Sequence, residues 1–134
     1  MATSSDDLKA LTRLVFDKLI NQGSMSAFDE LVAADYVDHT GATDREDYRD
    51  LIRATRTAFP DLHLEIEDLI AEGDKVVARF TARATHRAEF QGIPATGKQV
   101  SWEGIGILRF RNGQMVERWN QSDIPGLMEQ LGSA

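Results

Sequence analysis

Pro60 divides this chain into two halves with different hydrophobic periods. Ahead of it, apolar residues recur every three or four positions; beyond it, they alternate. Leu8, Leu11, Leu14, Val15, Leu19 and Ile20 form the stripe of an amphipathic helix. Ser4 or Ser5, followed by Asp6 and Asp7, supplies a capping oxygen and acids for the positive end of the helix dipole. Asn21-Gln22-Gly23 stops it. The spacing predicts a short helix over 26–32 with Phe28, Leu31 and Val32 inward, then a brief extended piece over 35–41. A third helix is expected from about Asp44 to Phe59, burying Tyr48, Leu51, Ile52 and Thr55. Pro60 ends it by disfavouring helical geometry in the residue before it.

In the second half, Leu62, Leu64 and Ile66 alternate with His63, Glu65 and Glu67, a strand pattern. Glu72-Gly73-Asp74 marks a turn, and 75–87 reads as a long strand rich in Val, Ala, Phe and Thr. The segment 90–97, with two glycines and a proline, is a loop. Strands over 99–109 and 114–119 follow, joined through Asn112-Gly113, the strongest short-range hairpin signal. A closing helical turn is expected over 126–131, after Pro125. Helices first and then an antiparallel meander argue for an α+β fold, the helices on one face of a curved sheet. The other face carries Val77, Ile105 and Ile107, which need cover, so a homodimer packed through that face is expected.

With 134 residues, the chain fits one domain, 1–134. Its 42% hydrophobic content suffices for a core plus a lined cavity, and 28% charged residues suit a soluble surface. A net charge of −7 repels phosphate backbones, which argues against nucleic acid as a partner. The absence of cysteine excludes disulfides, thiolate nucleophiles and sulfur-ligated zinc. The segment from Met1 to Asp7 lacks the basic and apolar regions of a signal peptide. No apolar run approaches the roughly 18–20 residues that cross a bilayer, so no membrane association and a cytoplasmic location are expected.

Four segments occur in a telling order: Phe59-Pro60-Asp61-Leu62, Gly73-Asp74-Lys75-Val76-Val77, Phe90-Gln91-Gly92-Ile93-Pro94-Ala95-Thr96-Gly97-Lys98, and Gly113-Gln114-Met115-Val116-Glu117-Arg118-Trp119-Asn120. Together they resemble the SnoaL-like polyketide cyclases of the NTF2-like superfamily, over nearly the whole chain. The resemblance implies a cone whose open end admits a small hydrophobic ligand, often paired as a dimer across the sheet. It further implies a cofactor-free cyclase that removes a proton beside a carbonyl and closes a ring by aldol addition. The alternative is a module of the same shape that binds a ligand without turnover. Epoxide hydrolysis is disfavoured, because Arg109 is followed by Phe110-Arg111, with no aspartate two residues on. Steroid isomerisation is disfavoured too, since neither tyrosine sits in a recognisable donor position.

The resemblance places Asp123 where these cyclases carry their base; by local sequence it equally reads as the N-cap of a helix at Ile124-Pro125. His39 corresponds to a pocket histidine, or is a loop histidine bonded to backbone; the family's following asparagine is replaced by Thr40-Gly41. Arg109 is an enolate-stabilising candidate or a solvated strand-end cation. Asn120 adjoins the acid and could share a ligand oxygen with it. Trp102 and Trp119 could wall the cavity, the strand phase relative to Asp123 favouring Trp119. His86 lines the mouth or a dimer contact, and His63 is exposed. The apolar lining is expected from Leu14, Phe16, Phe28, Tyr36, Leu51, Phe59, Phe80 and Trp119. The three histidines show no paired spacing, and no phosphate loop, nucleophile elbow or dinucleotide fingerprint occurs, so neither metal nor cofactor is expected.

Overall fold

Ser4 opens the first helix by a reciprocal capping box. Its hydroxyl accepts from the Asp7 amide at 3.0 Å, and the Asp7 carboxylate accepts from the Ser4 amide at 3.4 Å. The computed structural model describes residues 4–132. Helix α1 (Ser5–Leu14) passes without a break into a π-helical segment, Val15–Asn21, where the Gln22 amide donates five residues back to the Asp17 carbonyl at 3.0 Å. The wider turn departs from the single 3.6-residue stripe read from sequence, and Val15, Phe16 and Leu19 are all buried on it. Arg56 closes its C-terminal end, donating to the carbonyls of Ile20 and Asn21, each at 2.8 Å.

Helix α2 (Met25–Leu31) leads directly into strand β1 (Val32–Asp38). Helix α3 (Arg45–Ala58) follows, capped by Asp44, whose carboxylate accepts from the Asp47 amide at 2.9 Å. The strands β2 (His63–Glu72), β3 (Lys75–Thr85), β4 (Gln99–Arg111) and β5 (Gln114–Ser122) form the expected meander, and α4 (Ile124–Leu131) closes the chain. The sheet order is β1-β5-β4-β3-β2, with β1 parallel to β5 and the other pairs antiparallel. Some strand bounds differ from the sequence pattern, and β4 runs on to Arg111. The extended piece at 35–41 begins earlier, at Val32, and serves as a parallel edge strand; β5 runs on to Ser122. Among the described residues no helix is long and apolar enough to cross a membrane.

Apolar side chains gather on the concave face in two clusters. One joins Phe16, Phe28, Tyr36, Tyr48, Phe80 and Phe110; the other joins Phe59, Leu62, Val100, Trp102, Leu127 and Leu131. On the convex face, Ile70, Val77, Ile107 and Trp119 stand opposite one another in a row across four strands. Ile105 and Ile70 are 50% and 64% exposed there.

Two strand glycines keep the concave face open. Gly104 pairs with Phe80 across β3 and β4, and a Cβ on Gly104 would collide with the Phe80 ring. Gly106 pairs with Asn120, whose side-chain oxygen would lie 3.1 Å from an added Cβ. Gly104→Ala should therefore cost about 1–3 kcal/mol, the usual range for overpacking a core. A urea midpoint unchanged from that of the unmodified chain would show that the Phe80 ring yields freely.

Candidate functional site

The two apolar clusters do not meet everywhere, and the gap between them is a cavity of about 360 Å³. Its walls come from both: Phe16, Tyr48, Phe80 and Leu108 on one side, and Phe59, Leu62, Trp102 and Leu127 on the other. Val15 and Ile20 of the π-helical segment contribute as well. The polar lining includes Arg118, Asn120 and Ser122 of β5 with Thr40, and also Thr55 and Arg56 of α3, Gln91 and Gln121. Among the described residues the lining holds no carboxylate and no imidazole.

Arg118 is fixed from behind by a fully buried carboxylate. Asp38, at the end of β1, accepts Arg118 Nε at 2.8 Å and Arg118 Nη2 at 3.4 Å, the Thr40 amide at 2.7 Å, and the Tyr36 hydroxyl. Arg118 Nη2 also donates to the Thr40 carbonyl at 3.1 Å, and the guanidinium lies 4.7 Å over the Tyr48 ring. Tyr36 stacks on Tyr48 with centroids 5.1 Å apart. Burial opposes the charge on Arg118, yet Tyr48, Tyr36 and Asp38 around it outweigh burial and hold its pKa above the ordinary value. Burial pushes both tyrosine phenols up, so they remain neutral donors. Asp38, with its oxygens occupied by donors, is a counter-ion and not a free base.

Of the residues singled out from sequence, Asn120 and Trp102 line this cavity. Asn120 Nδ2 donates to Ser122 Oγ at 3.0 Å, and its amide N–H donates to Thr40 Oγ1 at 3.0 Å. Tyr36 lies behind the wall, holding Asp38. His39, Arg109 and Trp119 do come together, but on the convex face. The His39 ring stacks on Trp119 at 4.8 Å and 8°, and its Nε2 lies 2.7 Å from Glu117. Arg109 bridges Glu117 at 3.2 Å and Asp74 at 2.8 Å. The His39 bond, with Arg109, holds the Glu117 carboxyl below the usual carboxylate range.

For Trp119 the reason for this outward placement is a bulge. Phe110 pairs with Met115 while Arg109 pairs with Glu117, so Val116 is an extra residue. The phase of β5 flips there. Trp119 turns outward opposite Ile107, and Arg118 and Asn120 turn inward. Neither Arg118 nor Asp38 was singled out from sequence; the signal that could have found Arg118 is the polar trio 118, 120 and 122 at strand spacing.

Asp123 sits between two lining residues, Ser122 and Ile124, but its carboxylate is turned to α4, where Oδ1 accepts the Gly126 amide at 2.9 Å. It is exposed and caps the helix. His86 is not at the mouth: it is fully buried behind Phe59, its centroid 5.6 Å from that ring. Its Nδ1 accepts the Thr96 amide at 3.2 Å, and its Nε2 has no partner among the described residues. His63 is exposed beside Glu65, as expected. Of the expected apolar lining, Phe16, Leu51, Phe59 and Phe80 face the cavity. Phe28 and Tyr36 are buried in the cluster behind, and Leu14 is 42% exposed. No group of three carboxylate or imidazole side chains converges among the described residues.

Residues 10–131 match the sequence profile of the SnoaL-like polyketide cyclase family. The chain is similar in structure to AclR, a candidate hydroxylase from Streptomyces galilaeus, with 33% identity and a TM-score of 0.88 over 98% of this chain and 99% of that one. TsrD from Streptomyces laurentii is 28% identical, with a TM-score of 0.88 over 98% and 99% of the two chains. IdmH, a candidate polyketide cyclase from Streptomyces antibioticus, is 31% identical, with a TM-score of 0.82 over 97% and 99%. No curated protein matches the chain.

Tyr36 and Tyr48 are the two tyrosines of the chain, which gives a clean optical test of the buried cluster. With both phenols raised in the folded state, stability is complete below about pH 10, the unfolded value, and falls as pH rises beyond it. Phenolate absorbance should emerge together with loss of far-ultraviolet dichroism. Ionisation of either tyrosine in the still-folded protein near pH 10 would show that the cluster is open to water.

Proposed function

Because the chain belongs to the SnoaL-like polyketide cyclase family and has its NTF2-like α+β fold, we propose that its cavity binds a small hydrophobic carbonyl compound and promotes cofactor-free ring closure. The observation that carries this reading is a mostly apolar cavity into which β5 presents Arg118 and Asn120. Such a pocket orients a ligand by its oxygen and buries the rest. Its volume of about 360 Å³ stands near the small end of the ~300–1,000 Å³ range of ligand pockets, which suits one or two rings. A carbonyl on Arg118 is polarised toward its enolate, and addition of that carbon to a second carbonyl closes the ring. Asp123, on the rim between Ser122 and Ile124, is the carboxylate assigned to proton transfer. His39 and Arg109, on the convex face, take no part in this scheme.

A second reading, ligand binding without turnover, draws on one observation: the Asp123 carboxylate is engaged as a helix cap and turned away from the cavity. Two substitutions separate the readings. Asp123→Asn keeps a capping oxygen and removes the base, so turnover of a dicarbonyl that closes by aldol addition should fall by roughly 10²–10⁴. Asp123→Ala also removes the cap and should cost about 0.5–2 kcal/mol of stability. A lowered melting temperature in Asp123→Ala with full activity in Asp123→Asn would leave the residue a cap alone. Mass spectrometry of the purified chain for a retained small molecule tests binding directly, as does quenching of Trp102 fluorescence.

The convex face is assigned to a second copy of this chain. Its apolar row, Ile70, Val77, Ile107 and Trp119, is flanked by charges of both signs, Asp68 with Arg79 and Asp74 with Arg109 and Glu117, a pattern that can complement itself across a two-fold axis. Sedimentation should give twice the 14.9 kDa chain mass, and Ile105→Asp should return it to the single-chain value. A single-chain mass for the unmodified protein at micromolar concentration would exclude the pairing.

A further inference from the structure

His86 is fully buried and does not face the cavity, yet it holds a loop that does. The loop leaves β3 after Thr85 and rejoins the sheet at Gln99 of β4. His86 ties its two stems together: its amide donates to the Lys98 carbonyl at 2.9 Å, and its carbonyl accepts the Gly97 amide at 2.9 Å. At the tip, Phe90 and Ile93 exchange backbone hydrogen bonds at 3.0 and 2.9 Å around Gln91-Gly92. Gln91 holds a left-handed φ of 48° there, a conformation uncommon outside glycine. Phe90 packs edge-on against Phe59 at 5.1 Å, and both Phe90 and Gln91 line the cavity. Gln91 is also exposed, so the tip stands where the cavity meets solvent.

The imidazole fastens this loop from behind through one nitrogen. Nδ1 accepts the Thr96 amide at 3.2 Å and lies 3.0 Å from the Thr96 hydroxyl, which itself accepts the Lys98 amide at 3.2 Å. A ring nitrogen that accepts an amide carries no proton, so the neutral ring has its proton on Nε2. Nε2 is buried and has no partner among the described residues. A second proton therefore has one place to go, Nδ1. There it would point at the Thr96 N–H and put a charge on a fully buried ring. No charged group bonds the ring among the described residues. Phe59 faces it from the end of α3, and Thr96 from the loop. Asp61, between α3 and β2, has both carboxylate oxygens on Thr85. Arg87, Glu89 and Lys98 belong to the loop itself, and the Lys98 ammonium donates to the Gln130 carbonyl at 3.4 Å.

We propose that His86 is a positioning residue for the cavity mouth: its neutral imidazole docks the loop so that Phe90 and Gln91 complete the lining, and uptake of a proton at Nδ1 releases it. The inference rests on the ligand-binding reading of the cavity and adds control of its mouth by pH. His86 touches no ligand in this scheme; it acts through Thr96. The walls supplied by α3, the sheet and α4 do not depend on the loop, so release alters the mouth and leaves the fold in place.

Nitrogen NMR of the full chain from about pH 8 to about pH 5, the span in which histidine titrates, reads the ring directly. At the upper end of that span His86 should show a bare Nδ1 and a protonated Nε2. On acidification, protonation of His86 should coincide with shifts of the Phe90, Gln91 and Thr96 amides, while far-ultraviolet dichroism stays unchanged. The ligand probe is 2-acetylnaphthalene, a neutral ketone that does not itself titrate in this span. Its affinity by equilibrium dialysis should weaken about tenfold once the docked loop falls to about a tenth of the population. His86→Asn offers an amide oxygen close to the place of Nδ1 and does not titrate, so it should keep the loop docked and remove the pH dependence. His86→Phe offers no acceptor and should show the weak affinity throughout. Titration of the unmodified chain decides the matter even where a variant fails to fold. A proton on Nδ1 at the upper end, or protonation of His86 with the loop amides unmoved, would overturn the proposal. So would a ring that stays neutral until the whole chain unfolds, or a released loop with affinity unchanged. Dependence on pH that persists in folded His86→Asn would belong to His39 or His63 and would equally overturn it. Failure of 2-acetylnaphthalene to bind at any pH would count against the cavity reading, and the amide shifts would still decide whether His86 docks the loop.

Discussion

The polar architecture of the molecule depends on the ion pair between Asp38 and Arg118. Removing both charges from water is expensive, and the attraction between them offsets that cost only when the remaining lone pairs and protons are also met. Here they are met on the Asp38 side, by Tyr36, by the Thr40 amide and by Arg118 itself. The pair joins the last residue of the edge strand to the middle of β5, and Asp38 and Arg118 are register partners in the only parallel pairing of the described sheet. One interaction thus does two jobs. It fastens β1 to the sheet, and it orients a guanidinium whose remaining nitrogen is left for the cavity.

Much of the fold was legible because each element carries its own period. The α1 cap at Ser4, one of the two serines expected there, the start of α3 at Asp44, the stop before Pro60 and the turn at Asn112-Gly113 are local chemistry and were readable from sequence. The π-helical turn at Val15–Asn21 was not legible, since apolar residues on a widened turn still look like a stripe of period 3.6. Strand β1 was seen as a fragment, because its partner is β5, about eighty residues further on, and no local pattern reports a parallel pairing.

The site was less legible than the fold, in part for a geometric reason. Strand alternation assigns faces only while the phase holds, and the bulge at Val116 shifts it by one. Counting back from Asp123 fails because its carboxylate turns to α4 and not inward, whereas counting forward from buried Met115 without the shift puts Trp119 in the cavity and Arg118 in water. With it, Arg118 and Asn120 face the cavity, and Trp119 joins His39 and Arg109 outside. His39, Arg109 and Trp119, expected at the cavity, meet instead on the opposite face. Asp38 was passed over because a charged residue at a strand end reads as solvated unless its partner is known.

The division of labour between pole and rim has a physical logic. Arg118 and Tyr48 are held by packed aromatic rings, a buried carboxylate and the central sheet, so their donors are placed with little freedom. Asp123 sits at a helix start, exposed, where its carboxylate can leave one amide for another partner at the modest cost of a cap. Placing donors rigidly favours stabilising charge, because reorganisation then costs nothing at the moment it develops. In the proposed scheme an exposed carboxylate at the rim suits proton traffic with solvent. The same scaffold can on this basis support different outcomes on related ligands, for a pole that stabilises an oxyanion does not itself decide what the carbanion attacks. On the proposed reading that decision falls to the shape of the apolar walls, to which Phe59 and Phe80 contribute.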